Sequence, residues 1–165
     1  MFKIRLIGDP VLREKTNVVT HFNDKLRDIA DQMIEFMHIE DGIGLAAPQV
    51  GLRDSIIVVD ISPIEEEEHP RAFINPQIVS AEGESVIEEG CLSIPGVRED
   101  VKRPESIQLV YQDVNGKRYE KEYDGWLARV LQHEIDHLNG ILFVDLISPV
   151  KRQLLINQGL IPEKF

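Results

Sequence analysis

The sequence predicts an α+β domain, and three observations carry that reading. Apolar residues recur at helical spacing in two long stretches, Leu26 to Met37 and Trp126 to Leu138. Between them lie short apolar or alternating runs separated by glycine, proline and asparagine, the pattern of strands and turns. No internal repeat and no long linker divides the 165 residues, a length that suits one domain around one core, residues 1–165.

The elements follow in chain order. Asp9 and Pro10 read as an N-cap and first helical position, so a short helical turn is expected there. Leu26, Ile29, Ala30, Met33, Ile34 and Met37 form one helical stripe behind Asn23, a good N-cap, and this N-terminal helix ends near Asp41-Gly42. Ile56-Ile57-Val58-Val59 is a buried strand, and Phe73-Ile74, Gln77 to Ser80 and Ser85 to Ile87 read as further short strands. Ile107, Leu109 and Tyr111 alternate with polar residues, and Tyr119, Lys121 and Tyr123 do so after Asn115-Gly116. That pair predicts a hairpin with a type I′ turn. A helix is expected from Gly125 to Asn139, stopped by Gly140, and a short C-terminal helix over Val150 to Gln158.

Composition removes several functional classes. A single cysteine permits no internal disulfide and suits a reducing compartment. The first residues lack the apolar stretch and cleavage site of a secretory signal, and no run approaches a membrane span, so a cytoplasmic location is expected. The net charge of −11 argues against a nucleic-acid binder, which needs a basic surface. Much of the excess lies in Glu65 to Glu68, read as a solvated loop between Pro63 and Pro70, and in Glu82 to Glu89.

The chemistry is concentrated in the helix from Gly125. His133-Glu134-Ile135-Asp136-His137 is an H-E-x-x-H pattern. Residues four apart share a helix face, so His133 and His137 can grip one metal ion while Glu134 reaches a water bound to it. Trp126, Val130, His133 and His137 fall on one stripe, so the histidines lie on a mostly buried helix. Buried without metal, they and Glu134 would leave many polar groups to satisfy. Asp136 faces away from that stripe and is assigned to a structural ion pair with an arginine.

A catalytic site of this kind uses three protein ligands and keeps one position open. Where one protease class places its third histidine, this chain has Phe143, which cannot bind metal. A later glutamate, as in another protease class, could only be Glu163 near the chain end, and Asp145 is too close to the helix to fold back. The better candidate is Cys91, in Glu89-Gly90-Cys91-Leu92-Ser93, where glycine and proline on either side indicate a turn or irregular strand. A thiolate with two imidazoles suits zinc, iron, nickel or cobalt.

Three segments together resemble the signature motifs of the peptide deformylase family: Gly42-Ile43-Gly44-Leu45-Ala46-Ala47-Pro48-Gln49-Val50-Gly51, Glu89 to Ser93, and Gln132 to His137. They stand in that family's order, over essentially the whole chain, with no departure at a motif position. The resemblance implies antiparallel sheets packed around a central helix that carries the two histidines. It implies Cys91, His133 and His137 as metal ligands, one Fe2+ per chain with Zn2+, Ni2+ or Co2+ as substitutes, and Glu134 as general acid–base. Gln49 and the backbone N–H of Leu92 would be oxyanion donors. Ile43 and Gly44 would contact the substrate main chain, and Ile43, Ile87, Trp126 and Val130 would surround its methionine side chain. The implied reaction is removal of the formyl group from N-formylmethionyl nascent polypeptides, releasing formate. A ribosome contact through Lys151 and Arg152 is a further expectation, with no DNA or membrane partner. Two other readings remain open at this point: a metalloprotease cutting internal peptide bonds, and a non-catalytic metal-binding module with a closed site. His21, His38 and His69 offer no ligand-like spacing for a fourth protein ligand.

Overall fold

The computed structural model describes residues 1–165 and contains three helices and seven strands. Helix α1 spans Asp24–Ile39, and the Leu26 N–H donates to the Asn23 side chain as its cap. A 3₁₀ turn over Pro10–Arg13 precedes it, capped by Asp9 as expected. Strands β1 (Gly44–Ala46), β2 (Ile56–Val59), β3 (Arg71–Glu82), β6 (Ser106–Gln112) and β7 (Arg118–Asp124) form an antiparallel sheet in the order β1-β2-β3-β6-β7. Strands β4 (Ser85–Cys91) and β5 (Ile94–Arg103) form a separate two-stranded ribbon. Helix α2 is Gly125–Leu138, and α3 is Pro149–Asn157.

The unbroken apolar run of β2 has a direct physical reason. Ile57 and Val59 point into the core beneath α2, beside Phe73, Leu109 and Leu131. Ile56 and Val58 point the other way, into the core beneath α1 with Met33 and Met37. A strand buried on both faces has no polar side to alternate with. A third core joins Ile94, Val97 and Val101 of the ribbon to Leu142, Phe143 and Leu155, which holds the ribbon against the region that follows α2.

Two local expectations are corrected, and one strand is added. Phe73-Ile74 and Gln77–Ser80 are one strand, β3, interrupted by a bulge at Asn75-Pro76. Proline cannot donate to the ladder, and Asn75, at φ 52, repairs the gap: its side chain bonds both backbone groups of Val19 and the Gln112 amide. The β6–β7 connection is not a type I′ turn, because Gly116 alone adopts positive φ (85) and Asn115 does not. Asp113 organises the turn instead, its Oδ1 accepting from the N–H groups of Asn115 and Lys117. Strand β5, absent from the expected elements, forms because Val97, Val101 and Arg103 share its buried face.

Candidate metal centre and active site

Three chain segments meet at the site. The first is β1 with the 3₁₀ turn Ala47–Val50, which carries Gln49; the second is the tip of the β4–β5 ribbon, which carries Cys91; the third is α2. One ligand atom from each of Cys91, His133 and His137 lies within 4.8 Å of the others, as the sequence expects. His137 Nε2 is 3.4 Å from Cys91 Sγ. His133 Nδ1 is 2.8 Å from Glu89 Oε1, which fixes the ring and leaves Nε2 for the cluster.

Glu89 belongs to one of the three motifs, but the sequence assigns it no role, since it also looks like the end of an acidic run. It is 6% exposed and saturated with partners. Arg103 donates to both its oxygens at 2.7 and 3.0 Å, and Arg129 Nη1 donates to Oε2 at 2.7 Å. Arg103 also pairs with Asp136 at 2.7 Å, the arginine partner expected for that aspartate. Arg129 is further tied to the Val101 carbonyl and to Ser85. Two carboxylates and two guanidiniums cancel, so the network adds no net charge beneath the histidines. Burial raises the Glu89 carboxyl, but His133 and Arg103 outweigh it and bring it down to about 2. One signal was available: Arg129 lies among Leu127, Val130 and Leu131 on an apolar helix, and such an arginine needs a buried acid.

Glu134 is the opposite case. Burial pushes its carboxyl up to about 7 against the attraction of His133, and its Oε1 is buried without a partner. Its other oxygen lies against Gly44, where a Cβ would stand 2.5 Å from Oε2, so position 44 requires glycine for space. Gln49 is 2% exposed; the Ala46 N–H donates to its Oε1 at 2.9 Å, which turns its amino group toward Ser93 Oγ (3.1 Å) and Cys91 Sγ (3.4 Å).

The donor set fits a metal. Burial alone would lower the pKa of His133, yet Glu134, Cys91 and Glu89 hold it well above the ordinary value. Burial and the His133 charge press His137 well below its own. Surroundings that draw a proton to one buried imidazole also favour a cation shared by both.

A cavity of about 550 Å³ opens over this cluster. Ile43, Gly44, Gln49, Cys91, Leu92, Trp126, Val130, His133 and Glu134 line it, together with Glu88 and Arg98 near its rim. Ile87 does not; it pairs with Val101 further along β4. Phe143 stacks on His133 with ring centroids 5.9 Å apart, and Glu163 lies at a different hollow beside α3. Neither offers a ligand to the centre.

Known proteins agree with this geometry. The family model described as polypeptide deformylase matches residues 1–153. A peptide deformylase of Thermodesulfovibrio yellowstonii is 49% identical over 154 residues, 93% of this chain and 93% of that protein. One of Thermotoga sp. strain RQ2 is 47% identical over 156 residues, 94% of this chain and 92% of that protein. The crystal structure of a peptide deformylase from Synechococcus elongatus in complex with actinonin superposes with a TM-score of 0.91 at 42% identity, covering 98% of this chain and 90% of that one.

Proposed function

This chain belongs to the peptide deformylase family, and we propose that its residues divide among them the work of removing the formyl group from N-formylmethionyl peptides. The observation that carries the reading is the meeting of Cys91, His133 and His137 beneath the unpartnered carboxyl of Glu134. Cys91, His133 and His137 would hold a divalent metal, which when bound would supply Lewis acidity and make water easier to deprotonate near neutral pH. Glu134, poised near 7, takes a proton from water as its oxygen bonds to the formyl carbon. The carbonyl pair moves onto oxygen, where the Gln49 amide and the Leu92 N–H stabilise it. Glu134 returns the proton to the amine as the C–N bond breaks, leaving formate and a free N-terminus.

Strand β1 is an edge of the sheet, so the backbone of Gly44 can pair with an extended peptide, while Ile43, whose carbonyl already accepts from the Asp60 N–H at 2.9 Å, meets the peptide along the cavity wall. The methionine side chain then enters the cavity beside Ile43, Trp126 and Val130. Ferrous iron is the metal the family resemblance implies, and the thiolate is compatible with it. The thiolate donates more charge than a third imidazole, and a small, reactive formyl group tolerates the weaker Lewis acid. The cutting of internal peptide bonds is not favoured, since Phe143 and Glu163 supply no ligand. No helix is long and apolar enough to cross a membrane. Nascent chains as substrate support a cytoplasmic location.

The test is formate release after anaerobic loading with Fe2+ or Zn2+. Formyl-Met peptides should exceed formyl-Ala peptides by about fiftyfold in kcat/KM, from three methylene-sized groups at about 0.8 kcal/mol each. Iron-loaded protein should be faster and should decay in air sooner than zinc-loaded protein, because zinc has no accessible redox change. Comparable rates for the two peptides would remove the side-chain pocket, and equal decay would remove iron.

A further inference from the structure

A glutamine side chain has three free torsions and a terminal amide that can face either way, so an oxyanion donor of this type works only if something aims it. Gln49 is aimed from both ends. The Ala46 N–H donates to its Oε1 at 2.9 Å, which decides that the amino group faces the ribbon. One amino proton then goes to Ser93 Oγ at 3.1 Å, and the other is donated to Cys91 Sγ at 3.4 Å, a weak sulfur acceptor on the metal-ligand side that a developing oxyanion can replace. Ser93 is completely buried and Gln49 nearly so, and neither atom of this contact competes with bulk water. The two segments are also splinted by the N-terminal chain. The Arg5 N–H donates to the Gln49 carbonyl at 2.7 Å, and the Ile7 N–H donates to the Ser93 carbonyl at 2.9 Å. Residues two apart in an extended chain therefore set the spacing between the glutamine and the serine.

We propose that Ser93 is a positioning residue: its hydroxyl accepts one amino proton of Gln49 and thereby directs the other at the reacting oxygen. The inference rests on Gln49 being an oxyanion donor. Ser93 touches neither substrate nor metal and acts only through Gln49. Without its hydroxyl the amide keeps the Ala46 bond but turns about its last torsion, so the transition state loses alignment while substrate binding stays intact.

The experiment is a double-mutant cycle on the metal-loaded full chain. Gln49→Ala should lower kcat about a hundredfold, as loss of one oxyanion donor does. Ser93→Ala should lower kcat about fivefold, the size of one neutral hydrogen bond, with KM and bound metal unchanged. Combined with Gln49→Ala, it should add nothing. In zinc-loaded wild-type protein, the two side-chain amide protons of Gln49 should give separate, protected NMR signals, and Ser93→Ala should shift them and expose them to exchange. A fivefold loss that persists in the Gln49→Ala background, unchanged kcat in Ser93→Ala, or solvent-like Gln49 signals in the wild type would each overturn the proposal. A fully active Gln49→Ala variant would instead overturn the role of Gln49 itself.

Discussion

Two glutamates lie on opposite sides of the same histidine, both buried, and the protein treats them in opposite ways. Glu89, on the ribbon side, fills its oxygens with Arg103, Arg129 and His133 and is brought down to about 2. Glu134, on the sheet side, has one oxygen without a partner and is pushed up to about 7. Burial is common to both, so burial does not set the role. The number of donors does. A carboxylate that is fully hydrogen-bonded stays charged and can only hold something in place, whereas one left short of partners can carry a proton.

The largest effect should come from removing the saturated member. Glu89→Ala leaves two buried guanidiniums facing each other with only Asp136 to answer them, a loss of about 3–5 kcal/mol by the precedent of broken buried pairs. His133 also loses the acceptor that orients it, so metal affinity should fall about 10–100-fold in whatever folds. Chemical denaturation and metal titration read both. A variant that keeps wild-type stability would mean that Arg103 and Arg129 find other partners, and the contrast with Glu134 would lose its structural half.

The pH dependence of stability in metal-free protein should show the two carboxyls pulling in opposite directions. Glu89 is held below its ordinary 4.5, so its contribution is complete above about 4.5 and disappears as pH falls toward 2. Glu134 is held above its ordinary value, so it favours folding most when protonated and weakens the protein as pH rises from about 4.5 to 7. Each swing is up to about 3 kcal/mol. Glu134→Gln should therefore gain on the wild type across the upper window, and Glu89→Gln should lose ground across the lower one. Melting curves of the three proteins over that range would expose parallel behaviour, which the donor-count argument forbids.

Catalysis should separate them as well. Glu134→Gln should keep its metal and lose activity by about a hundredfold or more, the usual cost of a missing general acid–base. Metal-replete protein with near-normal turnover would show that Glu134 carries no proton.

The contrast also marks the limit of what the sequence discloses. Glu134, His133 and His137 are legible because one helix turn places them together, and a local period can be read from spacing alone. Cys91 is legible by its rarity, and β2 by its unbroken apolar run. Glu89 falls inside a recognisable motif, but its role is not legible, because its three partners come from β5 and α2, and the local sequence gives no sign that it is buried while Glu88 is exposed and paired with Arg98 at the surface. Strand β5 was hidden for a related reason: Arg103 counts as polar in any pattern, yet it is a core residue once Glu89 is present. The fusion of β3 across Pro76 depends on Asn75 reaching Val19, and Ile87, assigned by resemblance, lies outside the residues that line the cavity.

The smallest effect belongs to the C-terminal helix, where the same reasoning by partners divides two neighbouring cations. Arg152 is occupied: its guanidinium donates to the carbonyls of Val144, Asp145 and Ile147 and ties α3 to the segment after α2. Lys151 has only Glu99, at 3.6 Å, and is half exposed. If the helix meets the ribosome through charge, Lys151 is the residue free to do so, and Arg152 is structural. Lys151→Glu should then weaken binding to ribosomes a fewfold at low salt with little change in melting temperature, since an exposed pair contributes about 0–1 kcal/mol. Arg152→Glu should chiefly lower stability, by about 1 kcal/mol for its lost bonds to carbonyls. Ribosome cosedimentation across a salt series decides the matter. Binding insensitive to Lys151→Glu takes the ribosome contact away from this helix, and binding sensitive only to Arg152→Glu, at unchanged stability, reverses the assignment of the two cations.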